Sequence, residues 1–300
     1  MKITVNGKDE TKYIGSPSWT TSDDANGEEM TFTSLRLYSP GAKVKVSDDG
    51  TQFYGIIISV EEGNKPPHSY TALDFSYTLK CDEIIQFKKM RADTAIKKLL
   101  KRTGIKASQM SVCKIPTKIT KIYQDTIINI MTDILKCAKK DQGKSYYFEV
   151  RGSKVVIEQK KKVKVKPTFM MADDSAISRS IADVRNEVKL YKDDKTVAKA
   201  SDTSSIKSLG TLRLVEDAGE ISKAKAKAEA QKRLKELNRS TNSKNVTLFV
   251  SSGYWDIRKN RLIKLDGGGL KGWYSIKSAT HTMDANVHKV SIEVEWHGKL

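Results

Sequence analysis

Cysteine is scarce in this chain of 300 residues: Cys81, Cys113 and Cys137 are the only three. The number is odd, the spacing wide and no C-x-x-C occurs, so they form neither a disulfide framework nor a zinc pattern. Three reduced, partly buried thiols in a protein made in the cytoplasm are expected. Long hydrophobic runs are missing too. Unbroken apolar stretches are short, such as Ile56-Ile57-Ile58, far below the ~20 residues of a membrane span. The start, Met1-Lys2-Ile3-Thr4-Val5-Asn6-Gly7, turns polar before a signal-peptide core could form, so Sec export is not expected. No internal repeat or heptad array is present.

The length suggests two domains on the usual prior of about 100–200 residues each. With 38% hydrophobic and 30% charged residues the chain is a folded protein rather than a disordered one. Its formal charge of +18 suggests an acidic or polyanionic partner.

The first 87 residues have a β pattern. Apolar and polar side chains alternate over residues 31–38 and 42–46, and residues 52–60 and 70–77 continue as strands. Residues 15–29, rich in Gly, Ser, Asp and Asn, suggest a mobile loop. Near residue 88 the period changes. Asp93 is the expected N-cap of a helix carrying Ile96, Leu99 and Leu100 and stopping at Gly104. Ile127, Ile130, Met131, Ile134, Leu135 and Ala138 define a second helix, ended by Gly143. Tyr146, Phe148 and Val150 then alternate, Arg151-Gly152-Ser153 turns, and Val155 and Ile157 alternate back as a hairpin. Beyond Pro167 the expected elements are a strand over 184–191, a loop over 193–210, a surface helix over 222–238 and strands over 246–250, 261–265, 272–282 and 287–296. The helix carries an Ala224/Ala228/Leu234/Leu237 stripe, with Glu229–Arg233 and Lys232–Glu236 as expected i,i+4 pairs.

Charge is unevenly spread. Residues 86–166 hold 22 Lys+Arg against 6 Asp+Glu, a net +16, which leaves +2 for the rest. The densest run, Lys160, Lys161, Lys162, Lys164 and Lys166, is the candidate partner-binding site. Tyr146, Tyr147 and Phe148 lie close to it and would suit base stacking, whereas an acidic protein neighbour would satisfy the same field.

Catalytic patterns are missing. His68, His281, His288 and His297 form no H-E-x-x-H. His281 and His288 flank the C-terminal turn and are expected as partly exposed strand-end residues rather than metal ligands. A thiol peptidase would need Cys113 or Cys137 beside His68, and the spacing does not suggest it. Glu28-Glu29, Glu61-Glu62 and Asp173-Asp174 sit in loop contexts and are expected to be solvated. Gly267-Gly268-Gly269 fits a hairpin loop, not a phosphate cradle. No catalytic, cofactor or metal residue is assigned.

Several segments resemble a known family. Arg179-Ser180-Ile181, Asp183, Arg185, Val188 and Leu190-Tyr191 are similar to the "RSI-D-R-V-VY" strand of XkdQ/YqbQ-like baseplate hub proteins of contractile, myovirus-type phage tails. Asp202, Ser205-Ile206 and Leu209-Gly210 resemble the family's "D-S-I-YG" segment. Glu216-Asp217, the helix ending at Leu237-Asn238, and the segments 272–282 and 288–294 follow in the family's order. The resemblance spans residues 30–300.

It implies a mainly β, α+β protein: tube-like β-barrel or sandwich domains of the phage-tail hub type with a basic α+β insertion. The corresponding domains are 1–87 (β), 88–166 (basic insertion) and 167–300 (β, with the helix at 222–238). It further implies a non-enzymatic homotrimer on the tail axis, joining the hexameric tail tube to the trimeric spike, with tape-measure or other baseplate components nearby. Such a protein is made in the bacterial host cytoplasm and built into a phage, prophage or R-type bacteriocin particle. The chain stops at Leu300 after its last strand, so no appended hydrolase or LysM module is expected. An acidic partner is expected for residues 86–166. The alternatives are a nucleic-acid-binding protein using the basic segment, and a cell-wall lytic enzyme.

Overall fold

Alternating apolar residues dominate both ends of the chain, and the fold follows that pattern. The computed structural model describes all residues except 23–26, 49, 161–162, 167–168, 172–176, 193–194, 219–222, 240, 251–254, 268–269, 285–286 and 299–300. The chain divides into two compact units, Met1–Ser175 with Asn245–Leu300, and Ala176–Lys244.

The first unit opens with β1 (Lys2–Val5), β2 (Lys8–Asp9), β3 (Ile14–Ser22), β4 (Glu28–Ser34), β5 (Lys43–Ser47), β6 (Thr51–Glu61) and β7 (His68–Asp74). Residues 15–22 and 28–29 are thus strand, not a mobile loop, because Trp19 and Met30 bury their side chains in the sheet core. The strand expected over 31–38 ends at Ser34, and Phe75–Lys80 turns into a 3-10 helix capped by Asp74 instead of extending β7.

An α+β module follows: β8 (Asp82–Arg91), α1 (Ala92–Arg102), β9 (Met110–Val112), β10 (Lys118–Thr126), α2 (Ile127–Gln142), β11 (Tyr146–Arg151) and β12 (Lys154–Gln159). Strands β8 and β10 form a two-stranded antiparallel ribbon; β11, β12 and β9 form a three-stranded sheet. Ile96, Leu99 and Leu100 of α1 share one core with Ile130, Ile134 and Leu135 of α2, Phe87 of β8 and Ile157 of β12. Each such side chain contributes about 1.5–3 kcal/mol by leaving water. The N-cap of α1 is Arg91, not Asp93. Asp93 lies in the first turn, held by two hydrogen bonds from Arg91, at 3.0 Å from Nε and 3.1 Å from Nη2. Thr126 caps α2, and Gly143 ends it at φ +67°, the left-handed conformation glycine adopts at least cost.

Short strands β13 (Val163–Val165) and β14 (Phe169–Met171) lead out of the module. The second unit holds β15 (Ile177–Ser180), β16 (Glu187–Lys192), β17 (Lys195–Ser201), α3 (Thr203–Leu209), β18 (Arg213–Asp217) and α4 (Lys223–Leu237). The stretch 193–210, expected as loop, contains β17 and α3. Its polar composition hid an edge strand and a helix that Asp202 caps, its Oδ1 accepting from the amides of Ser204 and Ser205. In α4 the buried face is Ala226 and Ala230, with Leu234 beside them, against Val188 and Leu190. Of the expected stripe Leu234 packs there and Ala228 is exposed instead, and Arg233 pairs with Glu216 of β18 at 2.7 Å rather than with Glu229.

The chain ends with β19 (Thr241–Val250), β20 (Arg261–Gly267), β21 (Leu270–Asp284) and β22 (Val287–Gly298). In the first unit these complete a sheet in the order β14-β19-β22-β21-β3-β4-β7-β6-β5-β1-β2, with β20 pairing β21 and β13. The sheet curls into a half-barrel. The N-terminal and C-terminal strands of this sheet meet where β21 pairs β3, His281 opposite Trp19.

Candidate interaction surface

Among the described residues no group of three or more His, Cys, Asp or Glu could hold a metal ion. Cys113 and Cys137 pack against the helical core, and burial pushes both thiols up, the reverse of nucleophile activation. His68 lies buried on β7 in the sheet core. Asp173-Asp174 lie outside the described residues, and Glu61 and Glu62 are exposed.

His281 and His288 are not strand-end residues facing water. Both are buried, Nδ1 of His281 lies 2.9 Å from Nε2 of His288, and His281 Nε2 donates to the Ile257 carbonyl at 2.8 Å. Trp19 stacks on His281 with ring centroids 5.7 Å apart, and Trp255 covers His288 at 4.4 Å. Burial drives His281 down to about 3 and lowers His288 as well. The pair is a neutral structural clasp.

Glu28 is likewise buried on a strand, not solvated in a loop. It pairs with Arg258, whose Nε lies 3.2 Å from Glu149 on β11 and whose Nη2 donates to the Val150 carbonyl at 2.8 Å. Arg261 reaches the same Glu149 at 3.3 Å, and Arg151 does so at 3.2 Å. At the hairpin tip Gly152 bridges to Phe53 of β6. An ionic seam thus ties β11 to the sheet. Its charges left no local pattern in the sequence, because Glu149 and Arg261 are 112 positions apart.

The outward side of the α+β module is different in kind. Among its acidic side chains Asp82 is exposed, Glu83 pairs with Arg102, and the six from Asp93 to Glu158 are engaged internally. Asp93 pairs with Arg91, Asp133 with Lys121, and Glu149 and Glu158 with Arg151. Asp125 accepts from Asn129, and Asp141 from Thr117. By contrast Lys97, Lys98 and Lys101 of α1 and Lys136, Lys139 and Lys140 of α2 are exposed and form no ion pair among the described residues. The positive field of the segment is therefore turned outward and unbalanced.

The aromatic groups expected beside that field are spent elsewhere. Tyr147 is buried, its hydroxyl donating to Glu158 at 3.1 Å; Tyr146 donates to Gln142 at 2.9 Å; Phe148 and Tyr146 both pack on the helical core. Of the lysine run, Lys161 and Lys162 lie outside the described residues. Lys160 and Lys166 are exposed, and Lys164, within β13, sets its ammonium 4.8 Å over the Trp273 ring.

The segments that carry the family resemblance prove structural in the second unit. Asn186 is fully buried, donates to the Gly210 carbonyl at 2.7 Å and accepts from the Leu212 amide at 2.8 Å. Asp202 accepts from Asn238 at 2.8 Å, and Ser205 donates to the same Asn238 at 2.8 Å. These side chains hold turns in place and present no reactive group.

No curated protein matches the sequence. Among solved structures the fold is similar to the 43 kDa tail protein of prophage MuSo2 from Shewanella oneidensis, at 14% identity and TM-score 0.71 over 98% of this chain and 97% of that one. It is similar to a tail protein from Neisseria meningitidis MC58, at 13% identity and TM-score 0.73 over 99% and 97%. A type VI secretion component of Escherichia coli, described as similar to the bacteriophage T4 tail proteins gp27 and gp5, matches at 10% identity and TM-score 0.52 over 99% and 77%. The chain thus has the fold of phage tail proteins, and residues 17–295 match the YQBQ-like family model, so the protein belongs to the YQBQ-like family.

Proposed function

We propose that this protein is a non-enzymatic structural subunit of a contractile phage tail, prophage tail or R-type bacteriocin baseplate. In this reading it is a hub that trimerises on the tail axis and joins the hexameric tail tube to the trimeric spike. Membership of the YQBQ-like family across residues 17–295 carries the reading. The match to two tail proteins over nearly the whole length of both chains supports it. Closed threefold symmetry would let one chain meet a sixfold tube on one side and a threefold spike on the other.

The strands of 1–87 and 167–300 act as the assembly scaffold, and residues 88–166 as an inserted basic domain that meets an acidic neighbour. Lys160, Lys161, Lys162, Lys164 and Lys166 belong to that docking region. The protein is made in the host cytoplasm and ends in the particle. Mass spectrometry of purified tail particles and light scattering of the protein with and without its spike test this. Presence at three copies per particle is the expected result; absence from the particle overturns it.

A further inference from the structure

Among the described residues strands β8 and β10 pair only with each other, so each keeps one edge without a strand partner there. Helices α1 and α2 cover one face of this ribbon, where Ile85, Phe87, Ile119 and Tyr123 are buried. The other face is bare. By alternation it presents Asp82, Ile84, Gln86 and Lys88 on β8 and Lys118, Thr120, Ile122 and Gln124 on β10, with Asp82 at the end away from the lysines. Ile84 is 67% exposed and Ile122 is 64% exposed. Ile84 lies opposite Gln124 and Ile122 opposite Gln86, so the two isoleucines are diagonal neighbours close enough to form one apolar spot. Lys88, Lys89 and Lys118 gather at the end where Arg91 pairs with Lys118. Aliphatic side chains this exposed on a two-stranded ribbon with open edges gain free energy when covered.

We propose that this face docks an acidic polypeptide segment of a partner that carries aliphatic side chains and lies along the ribbon as an added or overlying strand. The inference rests on reading residues 88–166 as a docking domain and names the chemistry of what docks. Charge selects the occupant. Residues 86–166 carry a net +16, and every acid within them is already engaged, so a second copy of the same face would be repelled. Nucleic acid fits the field but not the spot. Tyr146, Tyr147 and Phe148 are turned into the fold, leaving no stacking platform there, and two isoleucines offer nothing to a phosphate backbone. A strand with acidic and apolar side chains in alternation satisfies both features and the free edge together.

The test uses the full chain and fluorescence anisotropy at physiological salt. The probes are a short peptide alternating Glu and Val, an all-Glu peptide of equal length, and duplex DNA. The alternating peptide is expected to bind about tenfold or more tightly than either other probe. Ile84→Ser/Ile122→Ser should erase that margin while leaving the melting temperature unchanged, because both side chains are exposed. Lys88→Glu/Lys118→Glu should weaken both peptides. An alternating peptide that shows no margin, a margin that survives Ile84→Ser/Ile122→Ser, or tightest binding by the duplex would each overturn the proposal. The hub reading is judged separately, by presence of the chain in tail particles.

Discussion

His281 on β21 and His288 on β22 share a hydrogen bond of 2.9 Å inside a shell of two tryptophans. The Ile257 carbonyl can only accept, so His281 carries its proton on Nε2 and leaves Nδ1 to accept from Nε2–H of His288. Both rings are neutral, and Arg258 nearby disfavours a positive charge on His281.

Acid should therefore loosen this clasp. An unfolded histidine protonates near ~6.5, whereas folded His281 holds out to about 3. The unfolded state binds the proton first, so stability is complete above ~6.5 and falls below it, by up to about 1.4 kcal/mol per pH unit for His281. His288 acts in the same sense, with Asp48 nearby tempering its shift. Asp74 acts oppositely: burial raises its carboxyl to about 7, so acid favours the folded state through that group. Melting temperatures from pH 7.5 to 4.5, compared with those of His281→Gln/His288→Gln, separate the two because Asp74 is common to both. A wild type no more acid-sensitive than the variant would contradict the clasp.

Glu149→Ala should cost about 3–5 kcal/mol, because it strands the buried cations Arg258 and Arg261. Arg151→Ala, which removes a partly exposed partner of the same carboxylate, should cost less than about 1 kcal/mol. Urea unfolding of the two variants checks the contrast. Similar midpoints would mean that Glu149 does not organise the seam.

Gly152 has φ +55°, and a Cβ there would lie 2.5 Å from the Thr51 carbonyl oxygen. Gly104 has φ +81° with open space around it. Gly104→Ala should cost about 1 kcal/mol for the left-handed backbone alone. Gly152→Ala should cost clearly more and raise hydrogen exchange at the hairpin tip, where the bridge to Phe53 is lost.

Asn186→Ala leaves the Leu212 amide and the Gly210 carbonyl without the side chain that joins them. An unsatisfied buried polar group costs about 1–3 kcal/mol. Proteolysis near residues 210–213 should accelerate, with the first unit's melting unchanged; an unaltered cleavage rate would show that the loop is held by other means.

Helices α1 and α2 and the β11–β12 hairpin were legible because their signals are local: apolar residues at helical or alternating spacing, with Gly104, Gly143 and Gly152 as stops and turns. The stretch 193–210 was not legible. Ser, Lys and Asp there suggested a loop, yet β17 gains its structure from pairing with β16 along Glu187–Ser201 to Lys192–Lys195. Local composition carries little of that pairing energy. The exposed face of β8 and β10 has no local signal for a related reason: Ile84 and Ile122 are apolar like core residues, and only their register puts both on the outward side.

The sequence by itself determined helices α1 and α2 and the concentration of positive charge in residues 86–166, since both are sums over neighbouring residues, and its family-like segments pointed to the class of the protein. Only the tertiary structure decided which charges remain free. Glu28, Glu149, Arg258 and Arg261 are indistinguishable from surface residues along the chain, and folding buries them against one another. Lys97 and Lys136, equally charged, are left facing outward. Charge interactions act through space between partners far apart in the chain, so the pairing of these groups is a property of the fold.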